Sequence, residues 1–462
     1  MASSKLAPQS ASAIHILLDY NAVVTYNIVV VKIFPEISMS QAALKPSTTD
    51  TFDPNAIALE DIDLTDANYY FNQQHWALFE RLRNEDPVHF YDHEEFGRIW
   101  SVTRYADIMA VDTNHKTFSS EPSIFIVDGP TGDDENFDPE TFIAMDPPKH
   151  DIQRKAVTPA VSPSALMDLE PLIRERVCKV LDGLPVGETF NWVDRVSIEI
   201  TTQMLATLFD FPFEDRYKLT FWSDLTTANE EVLEEMGLTE EERRGHLYEC
   251  LETFGKLYAE RAALPPANDF ISLMAHNEHM KSLDPMNLLG NLMLLIVGGN
   301  DTTRNSMSGG VLALHNHPDQ FAKLKADPSV IPNMVSEIIR WQTPLAYMRR
   351  TATEDVELGG KTIKKGDRVL MWYISGNRDE RDIDRPNEFL IDREGARRHL
   401  SFGFGIHRCM GNRVGEMQVR ILWEEILNRF DRVEVVGTPV RTFSNFVMGF
   451  TDLPVVVHPK TV

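Results

Sequence analysis

The segment FGFGIHRCMG, residues 402–411, constrains the fold of this chain more than any other stretch of its sequence. Gly403 and Gly405 permit backbone conformations and close approaches that a side chain would prevent, and helical periodicity follows over residues 410–430. Cys409 is therefore predicted to lie at or just before a helix N-terminus, where the helix dipole lowers the pKa of a thiol and favours the thiolate.

The neighbours of Cys409 leave several interpretations open. A dinucleotide-binding loop, G-x-G-x-x-G, would need glycine where Arg408 stands, so this interpretation fails. A cysteine nucleophile assisted by His407 stays open, because proximity in sequence says nothing about pairing in space. A thiolate ligand for haem iron and a buried cysteine without a chemical role are the other two interpretations.

Charge and cysteine content exclude several classes of protein. The chain has 462 residues, a formal net charge of -25 and three cysteines. The acidic balance repels polyanions and so disfavours nucleic-acid binding. The odd number and wide spacing of the cysteines indicate neither a disulfide framework nor a cysteine zinc site. We therefore expect a reducing compartment, the cytoplasm.

The first 50 residues differ from the rest of the chain. Residues 14–34 are rich in apolar residues over nearly the length of a membrane span, but two charged residues and two asparagines interrupt the run. We expect residues 1–50 to be a poorly ordered extension, or to result from a start codon assigned upstream of Met39. Residues 51–462 have no repeat and no Pro/Gly-rich linker, which predicts a single domain.

Periodicity predicts a mainly α fold with small β-sheets. Stretches with apolar spacing near 3.6 and with Pro or Asp at their edges are residues 164–184, 192–209, 214–228, 240–263 and 284–315. Short alternating or β-branched runs, which predict small hairpins, are residues 86–93, 98–104, 355–373 and 433–439, with a turn at Gly359-Gly360.

A polar segment interrupts the last of the helical stretches. Gly298, Gly299, Asn300, Asp301 and Thr302 stand inside an otherwise apolar run. Glycine costs roughly 1 kcal/mol against alanine in a helix interior, and a buried carboxylate needs partners. The local sequence is equally consistent with one helix that ends at Gly299 and a second that begins with a cap at Asn300 or Asp301.

Together these features resemble the cytochrome P450 superfamily. The cysteine segment fits the F-x-x-G-x-x-x-C-x-G signature of that family, with Phe402, Gly405, Cys409 and Gly411 in register. The resemblance implies a triangular helical prism with a long central helix above haem b. It also implies that Cys409 is the proximal iron ligand, with Phe402 packed near its sulfur. A thiolate ligand donates electron density that favours cleavage of the O–O bond of dioxygen.

The resemblance also assigns roles to residues elsewhere. Gly299 would leave space for dioxygen, while Asp301 and Thr302 would steer protons to it. The residues that would bind the haem propionates are His150, Arg154, Arg350 and His407. The residues that would form the structural ion-pair cluster of the family are Glu337, Arg340 and Arg393. Only their position in the chain singles out Glu337 and Arg340, because the E-x-x-R spacing occurs at four other places.

The sequences of the polar segment around Gly298 and of the cysteine segment are most similar to those of the bacterial terminal alkane hydroxylase branch of the family. This implies ω-hydroxylation of medium-chain n-alkanes to primary alcohols, with fatty acids, terpenes and steroids as alternative substrates. The residues expected to line an apolar substrate pocket are Ile296, Val297, Leu345, Phe446 and Val447, although a hydrophobic core would have the same composition.

Six arginines and two acids occur between Arg393 and Arg420, an island that suits an acidic partner or a structural cluster equally. The resemblance implies electrons from NAD(P)H through a separate reductase and a small acidic ferredoxin, and no stable membrane insertion. The rival functions are a haem sensor or carrier, which would need no Asp301–Thr302 relay, and a thiol hydrolase, which would use Cys409 without haem.

Overall fold

Most of the described chain is helical, as predicted. The computed structural model describes residues 52–127, 139–228 and 230–460, so the extension predicted over residues 1–50 lies outside the described residues, and the boundary at residue 50 stays a prediction. The α-helices are α1 Ala67–Phe71, α2 His75–Glu85, α3 Tyr105–Asp112, α4 Lys149–Val157, α5 Pro163–Asp182, α6 Glu199–Leu208, α7 Tyr217–Thr227, α8 Glu230–Glu235, α9 Glu240–Ala262, α10 Phe270–His276, α11 Pro285–Asn316, α12 Pro318–Ala326, α13 Ile331–Gln342, α14 Tyr373–Gly376 and α15 Asn412–Arg429.

The predicted helices are confirmed, and local capping explains where several of them begin. The helix α5 follows Ser162, whose hydroxyl accepts from a backbone N–H of the first turn. The helix α9 follows Thr239, which forms a reciprocal capping box with Glu242. The stretch predicted over residues 192–209 is a π-helix, Val193–Ile198, that continues into α6.

The long apolar stretch forms one continuous helix, α11, rather than two. Asp284 caps its N-terminus by accepting from the backbone N–H groups of Met286 and Asn287. The helix packs against α6, α7, α9, α13 and α15, and this tertiary packing outweighs the low helix propensity of its glycines. None of the described helices is long and apolar enough to cross a membrane.

The strands are short and lie around the helical core. They are β1 Val88–His93, β2 Gly97–Val102, β3 Phe118–Ser119, β4 Phe190–Asn191, β5 Met348–Ala352, β6 Val356–Leu358, β7 Lys361–Ile363, β8 Arg368–Met371, β9 Phe430–Val435, β10 Val440–Arg441, β11 Phe450–Asp452 and β12 Pro454–Pro459. The described sheets have the strand orders β1-β2-β8-β5-β3, β4-β12-β9, β6-β7 and β10-β11.

Two hairpins are as predicted, and two strands are not. The hairpins β1–β2 and β6–β7 form, and Gly359 and Gly360 adopt φ values of +57° and +76° in the second turn. In contrast, β8 leaves the local hairpin and pairs in parallel with β2. The hairpin predicted over residues 433–439 is wrong, because β9 pairs with the distant β12.

Candidate functional site

The loop that carries Cys409 has a shape that requires glycine. Gly403 and Gly405 have φ values of +61° and +67°. A Cβ atom on Gly405 would lie 2.4 Å from the backbone carbonyl oxygen of Asp112 at the end of α3. The backbone N–H of Cys409 donates to the carbonyl of Phe402 at 2.7 Å, which closes the loop in front of α15.

Asp112 joins this loop to the five-stranded sheet. Its carboxylate accepts from Arg350 on β5 at 2.9 Å, from the Tyr373 hydroxyl at 2.9 Å and from the backbone N–H of Phe404 at 2.7 Å. Arg350 therefore reaches the site as half of a buried ion pair. Asp112 was not predicted from the sequence, because nothing in its own segment distinguishes it from a surface acid.

The thiol of Cys409 lines an internal space. Cys409 is exposed to this space. Burial by the surrounding protein nevertheless raises the pKa of the Cys409 thiol, while the backbone N–H of Gly411 and the charges of Arg154 and Arg408 lower it. The expectation of a lowered pKa is thus wrong for the free thiol, because desolvation outweighs the helix terminus. A cation bound to the sulfur would reverse that balance.

Histidine and arginine side chains border the same space. The His407 and His150 rings lie 4.2 Å apart. Both ring nitrogens of His407 and the Nε2 of His150 are buried without a hydrogen-bond partner among the described residues. Burial, helped by the charges of Arg350 and Arg154, lowers the pKa of His407 to about 2. Such a cluster suits an anionic ligand that would accept hydrogen bonds.

Contacts between elements place α4, α11 and the cysteine loop around this space. Arg154 of α4 donates to the backbone carbonyl of Arg408. Gln153, also on α4, accepts from Asn291 of α11 at 2.7 Å. A Cβ on Gly415, in the first turns of α15, would lie 3.5 Å from the Thr303 hydroxyl of α11. The cysteine loop therefore lies close to the polar segment of α11.

One face of α11 is open although most of the helix is buried. Gly298 is exposed, a Cβ added there would meet no described atom within 4 Å, and Thr302 and Leu294 are partly exposed. Thr302 donates to the carbonyl of Gly298 at 2.8 Å. Gly299 is partly exposed as well, but a Cβ there would lie 2.8 Å from Leu205 of α6. The space expected at Gly299 is instead at Gly298, and the four-residue spacing from Thr302 was the signal that could have identified it.

Asp301 faces away from the open side of α11. It is buried, and its Oδ1 lies 2.9 Å from the Arg304 guanidinium, which also contacts Asp224 of α7 at 2.8 Å. Burial raises the pKa of Asp301 to about 6, whereas the charge of Arg304 lowers it. Asp301 and Thr302 are thus adjacent in sequence but lie on different faces of the helix.

The three residues expected to form an ion-pair cluster are in contact and buried. Arg340 makes two 2.8 Å contacts with Glu337, and Arg393 lies 2.9 Å from the same carboxylate. Arg340 also donates to the carbonyl of Asn377, whose side chain accepts from the backbone N–H of Leu400 at 2.7 Å. The cluster therefore supports the start of the cysteine loop.

The expected substrate-pocket residues fall into two groups. Leu345 and Val447 form a β-bridge, and Phe446 packs against Phe125 with ring centroids 5.1 Å apart. Val297 is partly exposed on α11, whereas Ile296 is completely buried in the helical core. The assignment of Ile296 to the pocket is wrong, because its position on the helix turns it away from the open face.

These residues fit a haem group. An accessible thiol, unpartnered histidine nitrogens and an arginine surround one internal space, which the open face of α11 adjoins. A thiolate suits the iron, and the histidines and Arg154 suit the two carboxylates of the porphyrin. No cluster of three His, Cys, Asp or Glu residues that could hold a bare metal ion occurs in the described part of the chain.

Comparisons with known proteins agree with this arrangement. The family model for cytochrome P450 matches residues 151–454. Linalool 8-monooxygenase of Pseudomonas putida is 35% identical over 410 residues, which cover 87% of this chain and 100% of that protein. The structure of cytochrome P450-153 from Novosphingobium aromaticivorans is 45% identical, with a TM-score of 0.79 over 86% of this chain and 99% of that one. The structure of CYP153D17 from Sphingomonas sp. PAMC 26605 is 48% identical, with a TM-score of 0.81 over 87% of this chain and 100% of that one.

The similarity extends over nearly the whole length of these proteins and includes the cysteine loop, the central helix and the ion-pair cluster. The mainly α fold with small sheets agrees with the same assignment. The chain belongs to the cytochrome P450 family.

Proposed function

We propose that this cytochrome P450 monooxygenase hydroxylates the terminal methyl group of medium-chain n-alkanes and releases primary alcohols. The observation that carries the proposal is the 45% and 48% identity to the two P450-153 structures, well above the identity to linalool 8-monooxygenase. The sequence motifs that resemble the terminal alkane hydroxylase branch lie in the two elements that border the site, α11 and the cysteine loop.

Cys409 is the proposed axial ligand of haem iron. The residues proposed to bind the propionates are His150, Arg154, Arg350 and His407, and those proposed to shape the loop against the porphyrin are Phe402, Gly405 and Gly411. When bound, haem would activate the co-substrate dioxygen with electrons from NAD(P)H. Electron donation from the thiolate would assist this activation. The unpartnered nitrogens of His407 and His150 support this assignment, because a propionate would satisfy them.

The open face of α11 is the proposed oxygen side. Gly298 leaves room for a small ligand, and the Thr302 hydroxyl, one turn further along the helix and bonded to the Gly298 carbonyl, borders the same opening. Asp301, buried beside Arg304, would supply protons from the other face of the helix, since a carboxyl group with a pKa of about 6 can hold or release a proton near neutral pH.

The pocket proposed for the substrate is apolar. Val297, Leu345, Phe446 and Val447 carry no charge, so an alkane chain would be held by burial, at roughly 0.8 kcal/mol per methylene. Terminal attack requires geometry, because the primary C–H bond is stronger than its secondary neighbours and must be the one presented for reaction. A narrow apolar passage past Phe446 would impose that orientation.

The proposed electron donor is a small acidic ferredoxin served by a separate reductase in the cytoplasm. Arg393 and Arg420 are occupied by Glu337 and by Glu170, respectively. Within residues 393–420, the arginines that are exposed without an ion pair in the described structure are Arg397, Arg398, Arg408 and Arg413. They lie before, within and just after the cysteine loop in the sequence, and their charge suits a negatively charged partner.

Carbon monoxide tests the thiolate assignment. Reduced wild-type protein with carbon monoxide is expected to show the strongly red-shifted Soret band of a thiolate-ligated haem, and Cys409→Ala should lose it. Cys178→Ala, at a partly buried cysteine, is the matched control and should keep the band. A Soret band in the wild type without this red shift would contradict Cys409 as the iron ligand. It would favour a haem sensor or carrier instead.

Substrate-induced spectral titration tests the substrate class. Octane is expected to shift the haem absorbance at lower concentration than octanoic acid, linalool or a steroid, and to yield 1-octanol on turnover. Terpenes are the second candidate, because linalool 8-monooxygenase is a full-length relative. Tighter binding of linalool, with turnover at its terminal methyl group, would replace the alkane proposal.

Product formed per NADH consumed tests the role of Thr302. Thr302→Ala is expected to lower this ratio and to raise hydrogen peroxide release, because a proton donor is lost near the oxygen side. Thr303→Ala is the control, since Thr303 is buried and faces α15 instead. Equal ratios in wild type and Thr302→Ala would remove Thr302 from the proton route.

A further inference from the structure

Asn300, which precedes Asp301 on the central helix, is fully buried and has both halves of its amide engaged. Its Nδ2 donates to Oδ1 of Asp301 at 3.0 Å. Its Oδ1 lies 3.2 Å from the Thr201 hydroxyl of α6, which shares its one hydrogen with the backbone carbonyl of Ser197 at 3.0 Å. A carboxylate can only accept, so the amide nitrogen must face Asp301 and the amide oxygen must face α6. Asn300 therefore ties the carboxylate of Asp301 to a neighbouring helix.

The two oxygens of Asp301 have different surroundings. Oδ1 receives the Asn300 amide at 3.0 Å and the Arg304 guanidinium at 2.9 Å. Oδ2 is buried with no hydrogen-bond partner among the described residues. The hydroxyl groups of Ser223 and Thr227 on α7 lie close enough to the carboxyl group to lower the pKa of Asp301 as hydrogen-bond donors. Donors on Oδ1 stabilise charge there, which leaves Oδ2 as the oxygen free to bind a proton.

We propose that Asn300 is a positioning residue, which holds the Asp301 carboxyl group so that Oδ2 is the oxygen that takes up and releases protons. This inference rests on the proposed function, in which Asp301 serves proton delivery. Asn300 does not touch substrate or oxygen. Its effect passes through the orientation and the proton affinity of the acid beside it.

The charges around Asp301 define the expected direction of the effect. Arg304 on the same helix favours the ionised carboxylate, whereas Asp224 on α7 disfavours it, and Asp194 on the π-helix acts on Arg304. The neighbour on α6, Thr201, is uncharged. Loss of the Asn300 amide removes a donor to the ionised form, so the pKa of Asp301 should rise from about 6. A hydrogen bond to a charged group is strong enough to move it to about 7.

Infrared difference spectra of the substrate-free holoenzyme against pH measure this directly. The carbonyl band of protonated Asp301 is assigned by its loss in Asp301→Asn. The midpoint of the band is expected near pH 6 in wild type and near pH 7 in Asn300→Leu. Asn291→Leu is the matched control, because Asn291 is an equally buried amide on α11 that bonds Gln153 and the backbone of Phe142 instead. Its midpoint should match the wild type.

An unchanged midpoint in a folded Asn300→Leu protein would overturn the inference. If that variant does not fold, Thr201→Val provides the test, since it frees the amide oxygen that orients Asn300; a rise of the midpoint supports the inference, and no change overturns it. Measuring the product formed per NADH consumed separates the role of Asp301 from the role of Asn300. Unchanged coupling of NADH to product in Asp301→Asn would remove the role of Asp301 itself, whereas lowered coupling there with wild-type coupling in Asn300→Leu would remove only Asn300.

Discussion

At the scale of single residues, Asp112 and Gly405 show how the cysteine loop is seated. Burial raises the pKa of Asp112, while Arg350 and the donors on the loop and on Tyr373 lower it. The backbone of the same residue packs against the Gly405 position, where a side chain has no room. The cysteine loop is therefore held by hydrogen bonds to the buried Asp112 carboxylate. It can pack closely against the Asp112 backbone because residue 405 has no side chain.

Alanine at position 405 tests this close approach. Gly405→Ala should lower the free energy of unfolding by about 3 kcal/mol or more, from the positive φ and the overlap with the Asp112 carbonyl together. Gly360→Ala is the matched control, because its φ is +76° and no described atom lies within 4 Å of the added Cβ. It should cost only about 1 kcal/mol. Chemical denaturation of both variants measures the difference, and equal losses would contradict the contact.

At the scale of elements, α11 presents two different faces within one turn. Gly298 borders the open space, and Gly299 admits the side chain of Leu205. Gly299→Ala should destabilise the protein by about 1–3 kcal/mol through overpacking. Gly298→Ala should stabilise it by up to about 1 kcal/mol, as alanine favours a helix interior. Thermal unfolding compares the two, and the opposite order would place the open face at Gly299.

The ion-pair cluster on α13 differs from a surface pair with the same spacing. Glu337→Gln would leave Arg340 and Arg393 buried without their countercharge, at a cost of about 3–5 kcal/mol. Glu278→Gln is the matched control, because Glu278 and Lys281 form an exposed pair with the same spacing, 2.7 Å apart. It should leave the free energy of unfolding nearly unchanged. Denaturant unfolding checks both variants, and a mild Glu337→Gln variant would contradict the structural role of the cluster.

At the scale of the whole molecule, charge is distributed unevenly. The chain carries a net charge of -25, yet exposed arginines without ion pairs in the described structure gather near Cys409. Arg413→Glu should raise the KM for a [2Fe–2S] ferredoxin of net negative charge about fivefold or more at low salt, with a smaller effect at high salt. Arg195→Glu, an equal charge change at an exposed arginine of the π-helix, should leave that KM unchanged. An equal rise of this KM in both variants would show that it depends on net charge alone, and would contradict a docking role of Arg413.

The sequence by itself determined the helices α5, α6, α7, α9, α11 and α15, the β1–β2 and β6–β7 hairpins and the family. Each of these rests on information local to the chain, such as 3.6-residue periodicity, glycine turns and a ten-residue signature around Cys409. Periodicity could not decide whether α11 broke at Gly299, since the answer came from the helices packed around it.

Only the tertiary structure decided which way individual side chains face and which distant strands pair. In the structure, the wider space lies at Gly298 rather than at Gly299, and Ile296 is buried in the core. Strand β9 pairs with β12, and Asp112 contacts the cysteine loop. The physical reason is common to all four. Burial and contact depend on residues far away in sequence, and a local pattern carries no information about what will pack against it.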